Sequence, residues 1–226
     1  MKLPKLKRYL QNFGFREVLE RPLSYISPGL EVVRLGDSIH LNASHTNYSY
    51  GGLHRVFQKA FREVSLQNRK LTDVLILGFG AGSVASIISD ELQMLCNFTA
   101  VEIDPEVIRL GKEYFNTGRF ETLIMVEADA SDFIENDSGL YDLIVVDVYI
   151  DFEVPASCES MSFVQGLYER LLPGGMVIFN KLVYNHEAGI EATELERKFN
   201  SLQGRTSVVK VRESVLNKII VFEKER

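Results

Sequence analysis

The chain has 226 residues, of which 46% are hydrophobic and 25% charged, and this is enough for one domain with a full core and a small appendage. Its 25 basic and 31 acidic residues give a formal net charge of −6. That balance argues against nucleic acid as a principal partner, because phosphate binding usually needs a concentrated excess of lysine and arginine. No segment approaches the roughly 20 apolar residues that span a bilayer, and the first residues lack a signal-peptide stretch, so we expect a cytoplasmic protein without a membrane partner.

The first part of the chain predicts a small β structure. Residues 31–35 and 38–42 read as two strands joined by Gly36 and Asp37, so we expect a β-hairpin near residues 24–43. Residues 1–46 are therefore interpreted as an N-terminal hairpin extension, and residues 47–226 as the main domain. At the start of the main domain, the apolar spacing predicts a helix from Tyr48 to Val64.

The main domain alternates strand and helix, which predicts a parallel sheet covered on both faces. Asp104 and Pro105 form a favourable helix start after the second strand, and residues 132–136 predict a short helix after the third. The four predicted strands are Val74 to Leu77, Phe98 to Ile103, Leu123 to Glu127, and Tyr141 to Val148.

The last third of the chain predicts two helices and the remaining strands. Ser162 and Gln165 have the spacing of a capping box, before a helix that carries Phe163, Leu167, Leu171 and Leu172. The Pro-Gly-Gly run at 173–175 is predicted to end that helix and to turn into a strand at 176–180. Another helix is marked by Leu195, Phe199 and Leu202, and residues 207–212 and 218–222 predict an antiparallel pair at one edge of the sheet.

The most informative motif is a glycine-rich turn after the first strand of the main domain. Gly78, Gly80 and Gly82 allow the backbone to turn tightly and to approach a ligand, while the following helix directs free N–H groups at it. Glu102, at the end of the second strand, can accept two hydrogen bonds from the hydroxyls of a ribose. The pair predicts a cofactor that contains adenosine.

Two further carboxylates follow the ends of predicted strands. Asp129 follows the third strand, where it can accept a hydrogen bond from an adenine amine, and Asp147 ends the fourth strand. Ligands of open α/β sheets bind at the carboxyl ends of the strands, so we expect these groups to lie on the same side of the molecule.

Five sequence blocks then occur in a fixed order: GFGAG at 78–82, VEIDPEVI at 101–108, EADASDFI at 127–134, YDLIVVDV at 141–148 and LLPGGMVI at 171–178. In this order they resemble the class I S-adenosylmethionine-dependent transferases, and within them the spermidine synthase-like branch, over roughly residues 70–182. The resemblance implies an α/β fold with a Rossmann-like, seven-stranded, mostly parallel sheet whose last strand is antiparallel. It also implies that S-adenosylmethionine, or its decarboxylated form, binds with its methionine part near the glycine turn, its ribose on Glu102 and its adenine beside Asp129.

The predicted site follows from the motifs and the resemblance together. Asp147 faces the acceptor and is the predicted base, and Tyr149 and Asp151 are predicted to position the acceptor; alternatively, Asp147 only binds the amino group of the cofactor. The predicted cofactor-binding residues are Gly78, Phe79, Gly80, Ala81, Gly82, Glu102, Ile103, Asp129, Ala130 and Asp147. Cys96 and Cys158 are read as reduced cysteines and have no metal-ligand spacing with His40 or His45, so no metal is expected.

Two departures from the family pattern affect the predicted reaction. Spermidine synthases carry an Asp-x-x-Asp arrangement, whereas one extra residue separates Asp147 from Asp151 here. Where those enzymes have Tyr-His-Glu, this chain reads Leu53-His54-Arg55, and a guanidinium there should repel an ammonium group of an acceptor. Methyl transfer to a small-molecule acceptor is therefore the leading prediction. Aminopropyl transfer to a polyamine and a catalytically inactive binding module are the alternatives.

Two further expectations concern a competing class of protein and the assembly. A nicotinamide dehydrogenase also has a glycine turn, but its fingerprint requires glycine at the position of Ser83. The edge strands and the apolar N-terminal extension are compatible with a homodimer.

Overall fold

The computed structural model of the chain describes residues 16–43, 47–49, 51–150 and 153–226. The strands in these residues are β1 Arg16–Glu20, β2 Glu31–Leu35, β3 Ser38–Asn42, β4 Asn47–Ser49, β5 Asp73–Leu77, β6 Asn97–Glu102, β7 Leu123–Glu127, β8 Tyr141–Val146, β9 Leu171–Val183, β10 Gly204–Arg212 and β11 Leu216–Lys224. The helices are α1 Gly52–Glu63, α2 Ser83–Ser86, α3 Pro105–Phe115, α4 Ala130–Asn136, α5 Met161–Glu169 and α6 His186–Asn200, and α2 continues as a π-helical turn, Ile87–Glu91.

The main sheet has seven strands in the described part of the chain, in the order β10-β11-β9-β8-β5-β6-β7. Strands β5 to β9 pair in parallel, whereas β11 is antiparallel to both β9 and β10. This confirms the predicted Rossmann-like sheet with an antiparallel last strand. The strand order reverses between β5 and β8, and the carboxyl ends of strands at such a point border a crevice where ligands bind.

Apolar side chains cover both faces of this sheet. On one face, Val56 and Phe57 of α1 pack with the segment that follows the glycine turn and with alternate residues of the central strands. On the opposite face, Ile134 of α4, Leu167 of α5 and Phe199 of α6 pack on the other set of strand residues. Each large side chain that is fully buried stabilises the fold by about 1.5–3 kcal/mol, so the strand ends that border the crevice are held by a rigid base.

The smaller sheet consists of β1 to β4, paired antiparallel in chain order. The predicted hairpin is confirmed as β2 and β3, with Gly36 at a positive φ of 61° in its turn. Val32 and Leu41 pack on Val107 of α3. Ser24, ahead of β2, donates a hydrogen bond of 2.6 Å from Oγ to Oδ2 of Asp104, so this sheet is attached to the main domain beside the end of β6. The predicted domain boundary after residue 46 adjoins residues 44–46, which lie outside the described residues, and it stays a prediction.

Two predicted helix starts are wrong, for local reasons. The predicted helix from Tyr48 begins only at Gly52, because Asn47–Ser49 pairs with β3 and Gly51 has a non-helical backbone with φ 70° and ψ −122°. The helix after the third parallel strand begins at Ala130 instead of Asp132. The side chain of Asp129 caps it by accepting hydrogen bonds from backbone N–H groups.

The prediction for the segment before β9 also needs correction. Ser160, and not Ser162, caps α5, since its Oγ accepts a hydrogen bond of 3.1 Å from the N–H of Phe163. The helix ends at Glu169, and Leu171 pairs with Tyr141 in the sheet. The Pro-Gly-Gly run therefore lies within β9 and is not the turn that ends the helix. In the described part of the chain, no helix is long and apolar enough to cross a membrane.

Candidate active site

The glycine turn lies between β5 and α2, enclosed by the ends of the neighbouring strands. The N–H of Gly78 donates a hydrogen bond of 2.9 Å to the carbonyl oxygen of Val101, and φ of Gly78 is 81°. A Cβ atom added at Gly78 would lie 2.2 Å from the carbonyl oxygen of Asp147. Only glycine fits at this position without moving the backbone, so the end of β8 can approach the turn closely.

Glu102 is buried at the end of β6, and its carboxylate holds the glycine turn. Oε2 accepts a hydrogen bond of 2.8 Å from the N–H of Gly80, and Oε1 accepts from the N–H groups of Ile103 at 3.0 Å and Asp104 at 3.2 Å. Burial raises the pKa of Glu102, while the three N–H donors oppose this shift. A carboxylate has about four lone-pair sites, and three are occupied here, so Glu102 can still accept one hydrogen bond from a ligand, at Oε2.

Asp129 lies at the end of β7 as the N-cap of α4. Its Oδ1 accepts hydrogen bonds from the N–H groups of Ser131 at 2.7 Å and Asp132 at 3.3 Å. Burial raises the pKa of Asp129, but the hydrogen bonds from Ser131 and Asp132 outweigh it, so the net shift is downward. Asp129 therefore carries its negative charge into the cavity at neutral pH.

Asp147 directly follows β8 and lies beside Asn180 of the neighbouring strand β9. The N–H of Asp147 donates to the carbonyl oxygen of Leu77 at 2.8 Å, and Oδ1 accepts a hydrogen bond of 2.9 Å from Nδ2 of Asn180. Burial raises the pKa of Asp147 to about 7, the hydrogen bond from Asn180 opposes the shift, and the negative charge of Glu102 adds to it. A carboxylate with this pKa can take up and release a proton near neutral pH.

Asn180 is a residue that sequence reasoning missed. It is fully buried on β9, and its Oδ1 has no hydrogen-bond partner among the described residues. An unpaired buried amide oxygen costs free energy, and this one belongs to a side chain that lines the cavity. The only signal in the sequence is a polar residue at the end of the aliphatic run Met176-Val-Ile-Phe-Asn180.

Tyr149 has a structural role that its position in the sequence did not indicate. Its hydroxyl donates a hydrogen bond of 2.6 Å to the carbonyl oxygen of Asn180 and accepts one of 3.0 Å from the N–H of Leu182. Burial, and secondly the charge of Asp147, raise the pKa of Tyr149 well above its usual value. The hydroxyl thus extends the pairing of β9 beyond the end of β8 and fixes the loop after Asp147. Asp151 lies outside the described residues.

These residues border a cavity of about 160 Å³ that opens at the carboxyl ends of the parallel strands. Leu53 and Val56 of α1 form one wall, and the turn between β10 and β11, residues 213–215, forms another. Seven predicted cofactor-binding residues line the cavity, namely Gly78, Gly80, Glu102, Ile103, Asp129, Ala130 and Asp147. Among the lining residues that the structure describes there are carboxylates but no lysine, arginine or histidine.

The other three predicted cofactor-binding residues do not line this cavity. The side chains of Phe79 and Ala81 are buried in apolar clusters. At Gly82, an added Cβ would meet the rings of Phe79 and Phe120 and the methyl group of Thr117. The binding role of these three residues stays a prediction, and it would depend on their backbone.

The cysteines and histidines take no part in a metal centre within the described residues, where no group of three or more His, Cys, Asp or Glu side chains is arranged for a metal ion. Cys158 lines the cavity, but burial raises its pKa to about 11, so its thiol is a poor nucleophile. Cys96 is buried in the core, and both cysteines are free thiols. His54 lies outside the cavity, with Nε2 at 2.6 Å from Oε1 of Glu91.

The strand order, the glycine turn after β5 and the carboxylates at the strand ends define the fold of class I S-adenosylmethionine-dependent methyltransferases. Residues 57–225 match the family described as the spermine/spermidine synthase domain, so the chain belongs to that family and the resemblance seen in the sequence is confirmed. A spermidine synthase from Thermotoga maritima has the same fold, with a TM-score of 0.71 at 16% identity over 92% of this chain and 72% of that one.

Two relatives of the chain are named for different activities. A probable polyamine aminopropyl transferase of Bifidobacterium longum is 32% identical over 106 residues, which cover 47% of this chain and 23% of the relative. An eEF1A lysine and N-terminal methyltransferase homolog of Drosophila melanogaster is 30% identical over 129 residues, which cover 53% of this chain and 19% of the relative. The chain thus spans less than a quarter of the length of either relative.

Proposed function

We propose that the chain is a transferase that binds S-adenosylmethionine in this cavity and moves the methyl group to a small-molecule amine. The observation that carries the proposal is the pair formed by Asp147 and Asn180 beside the glycine turn. Asp147 supplies a carboxylate with a pKa of about 7. Asn180 supplies a buried amide oxygen that has no hydrogen-bond partner among the described residues. Both residues line the cavity.

The donor fits the described residues in three places. Oε2 of Glu102 accepts a hydrogen bond from a ribose hydroxyl. The backbone of the glycine turn, where a Cβ at position 78 would collide, lies against the methionine part. The hydrogen bonds of Asp129 all end on Oδ1, which leaves Oδ2 for the adenine amine. The negative charges of Glu102, Asp129 and Asp147 favour a sulfonium cation.

The transfer itself requires little of the protein, since a sulfonium carbon is already activated. The nitrogen of the acceptor forms a bond to the methyl carbon while the carbon–sulfur bond breaks, and sulfur keeps the electron pair as a neutral thioether. Asp147 takes the proton that the amine loses, and Oδ1 of Asn180 accepts a hydrogen bond from the amine and aims its lone pair. The walls formed by Leu53 and Val56 exclude water from the reacting atoms.

Binding of the donor tests the proposal. Calorimetry should show that S-adenosylmethionine binds to the wild-type chain and more weakly to an E102Q variant, which lacks the ribose-binding charge. An exposed control, E113Q on α3, should bind the donor like the wild type, because Glu113 lies outside the cavity. The proposal fails if S-adenosylmethionine does not bind, and binding of neither form of the donor would favour an inactive binding module.

Aminopropyl transfer from decarboxylated S-adenosylmethionine is the second candidate, and two observations favour it. The cavity has no basic side chain among its described lining residues to receive the carboxylate of methionine, and a polyamine aminopropyl transferase is among the relatives. Calorimetry with both donors, followed by mass spectrometry of the product, separates the candidates. Addition of one methyl group supports the first candidate, and addition of an aminopropyl group supports the second.

Location and assembly are further parts of the proposal. A cytoplasmic location agrees with two cysteines that are both free. The homodimer stays a prediction, and sedimentation of the purified chain would test it.

A further inference from the structure

One rim of the cavity carries a charge cluster formed by residues far apart in sequence. Glu213, in the turn between β10 and β11, lines the cavity. Its Oε2 accepts hydrogen bonds from Nε of Arg55 at 3.0 Å and from Nη2 at 2.9 Å, and its Oε1 accepts one of 2.9 Å from Nζ of Lys59. Both carboxylate oxygens of Glu213 are therefore occupied by cations of α1.

The charges of this rim cluster, defined as Arg55, Lys59 and Glu213, do not cancel. Two cations face one carboxylate, so the cluster carries one excess positive charge. The hydrogen bonds from Arg55, and then those from Lys59, hold the pKa of Glu213 below its usual range, so the carboxylate is ionised at neutral pH. About half of each cationic side chain is exposed, 56% for Arg55 and 49% for Lys59, so both lie beside Glu213 and are accessible from solvent.

The same cavity also has acidic lining residues. Asp147 lines it together with Glu102, whose negative charge raises the pKa of Asp147 further. The cavity is also lined by the apolar side chains of Leu53, Val56, Leu182 and Val215. It thus combines acidic residues suited to an amine, an apolar wall, and Glu213, whose carboxylate is already paired with two cations.

We infer that the acceptor of the proposed transfer is an aliphatic amine with a carboxylate at its far end, and not a diamine. The inference rests on the proposed function, because it assigns the reacting amine to Asp147. A second ammonium group would meet the excess positive charge of the rim cluster, and it would have to displace Arg55 or Lys59 to reach Glu213. A carboxylate at the same place pairs with either cation. The repulsion predicted for Arg55 stays a prediction. In this inference it comes from the whole rim cluster, where Arg55 and Lys59 together exceed Glu213 by one positive charge.

A matched pair of probes tests this inference. Cadaverine and ε-aminocaproate share one amine and the same chain of five methylene groups, and differ in having a second amine or a carboxylate. Their affinities are measured by calorimetry on the full chain saturated with S-adenosylhomocysteine, the product of the proposed donor. We expect ε-aminocaproate to bind about tenfold more tightly than cadaverine, a difference that corresponds to about 1.4 kcal/mol and shrinks as salt is added.

Three variants make the result specific. In the double variant R55Q/K59Q, Glu213 is released and the preference should reverse in favour of cadaverine. The E213Q variant should increase the preference for ε-aminocaproate, and R62Q, an exposed position on the same helix, should leave it unchanged. Equal or tighter binding of cadaverine to the wild type, an unchanged ratio in R55Q/K59Q, or binding of neither probe would overturn the inference. Binding of S-adenosylmethionine is measured first, so failure of the proposed function is recognised separately by the loss of donor binding.

Discussion

Replacing Asp147 with asparagine tests the electrostatics of the site without removing its shape. The amide oxygen of asparagine can still accept the hydrogen bond from Nδ2 of Asn180, so only the charge is lost. The pKa of Asp147 is raised from 3.8 to about 7 in the folded chain. Each unit of pKa corresponds to about 1.36 kcal/mol, so ionisation of Asp147 lowers the free energy of unfolding by at most about 4 kcal/mol.

The sign of the effect follows from the raised pKa. The protonated carboxyl contributes its full stability below pH 3.8, the value in the unfolded chain, and this contribution is lost as the pH rises through about 7. The D147N variant should therefore resemble the wild type near pH 4 and be more stable by a few kcal/mol near pH 8. Urea unfolding of both proteins at the two pH values measures the difference.

The D37N variant serves as the control for the urea unfolding of D147N. Asp37 is an exposed carboxylate in the turn between β2 and β3, so D37N should follow the wild type at both pH values. Equal stability of D147N and the wild type at pH 8 would show that Asp147 is well solvated, and the reasoning on its role as a base would then be refuted.

Three other substitutions have defined outcomes. N180A removes the hydrogen bond that opposes the raised pKa of Asp147, so the acid limb of the pH–rate profile should move to higher pH, while unchanged kinetics would contradict the role of Asn180. Y149F removes two hydrogen bonds to β9 and should cost about 1–3 kcal/mol in urea unfolding; a loss of turnover at full stability would instead favour a direct role in catalysis. G78A introduces a Cβ against the carbonyl oxygen of Asp147 and should abolish donor binding in calorimetry; normal affinity would show that the turn does not contact the donor.

Much of the fold could be predicted because each parallel strand is a short aliphatic run that ends in a recognisable turn. The glycine turn, Glu102 and Asp147 were found for the same reason, since strand ends in an open sheet meet at one edge. Helix ends were less predictable where two residues compete for one role. Ser160 and Ser162 are both suitable N-cap residues. Only the structure shows that the N–H of Phe163 donates its hydrogen bond to Oγ of Ser160.

The contacts that were missed depend on pairing between distant segments. Tyr149 can hold the loop after Asp147 only because β9 extends beyond the end of β8. The hydroxyl of Tyr149 then forms hydrogen bonds with the backbone of Asn180 and Leu182. The rim cluster joins Arg55 to Glu213 across 158 positions of the chain. No local sequence pattern predicts such a contact, because the contact depends on how α1 packs beside the last strands.

The proposed chemistry depends on the glycine turn and Glu102 holding an adenosyl sulfonium donor. A crystal of the chain soaked with S-adenosylmethionine is the decisive experiment. We expect the donor in the cavity, with a ribose hydroxyl within hydrogen-bond distance of Glu102 and the sulfonium next to Gly78 and Asp147. An empty cavity at saturating donor, or a ribose bound elsewhere, would refute this assignment.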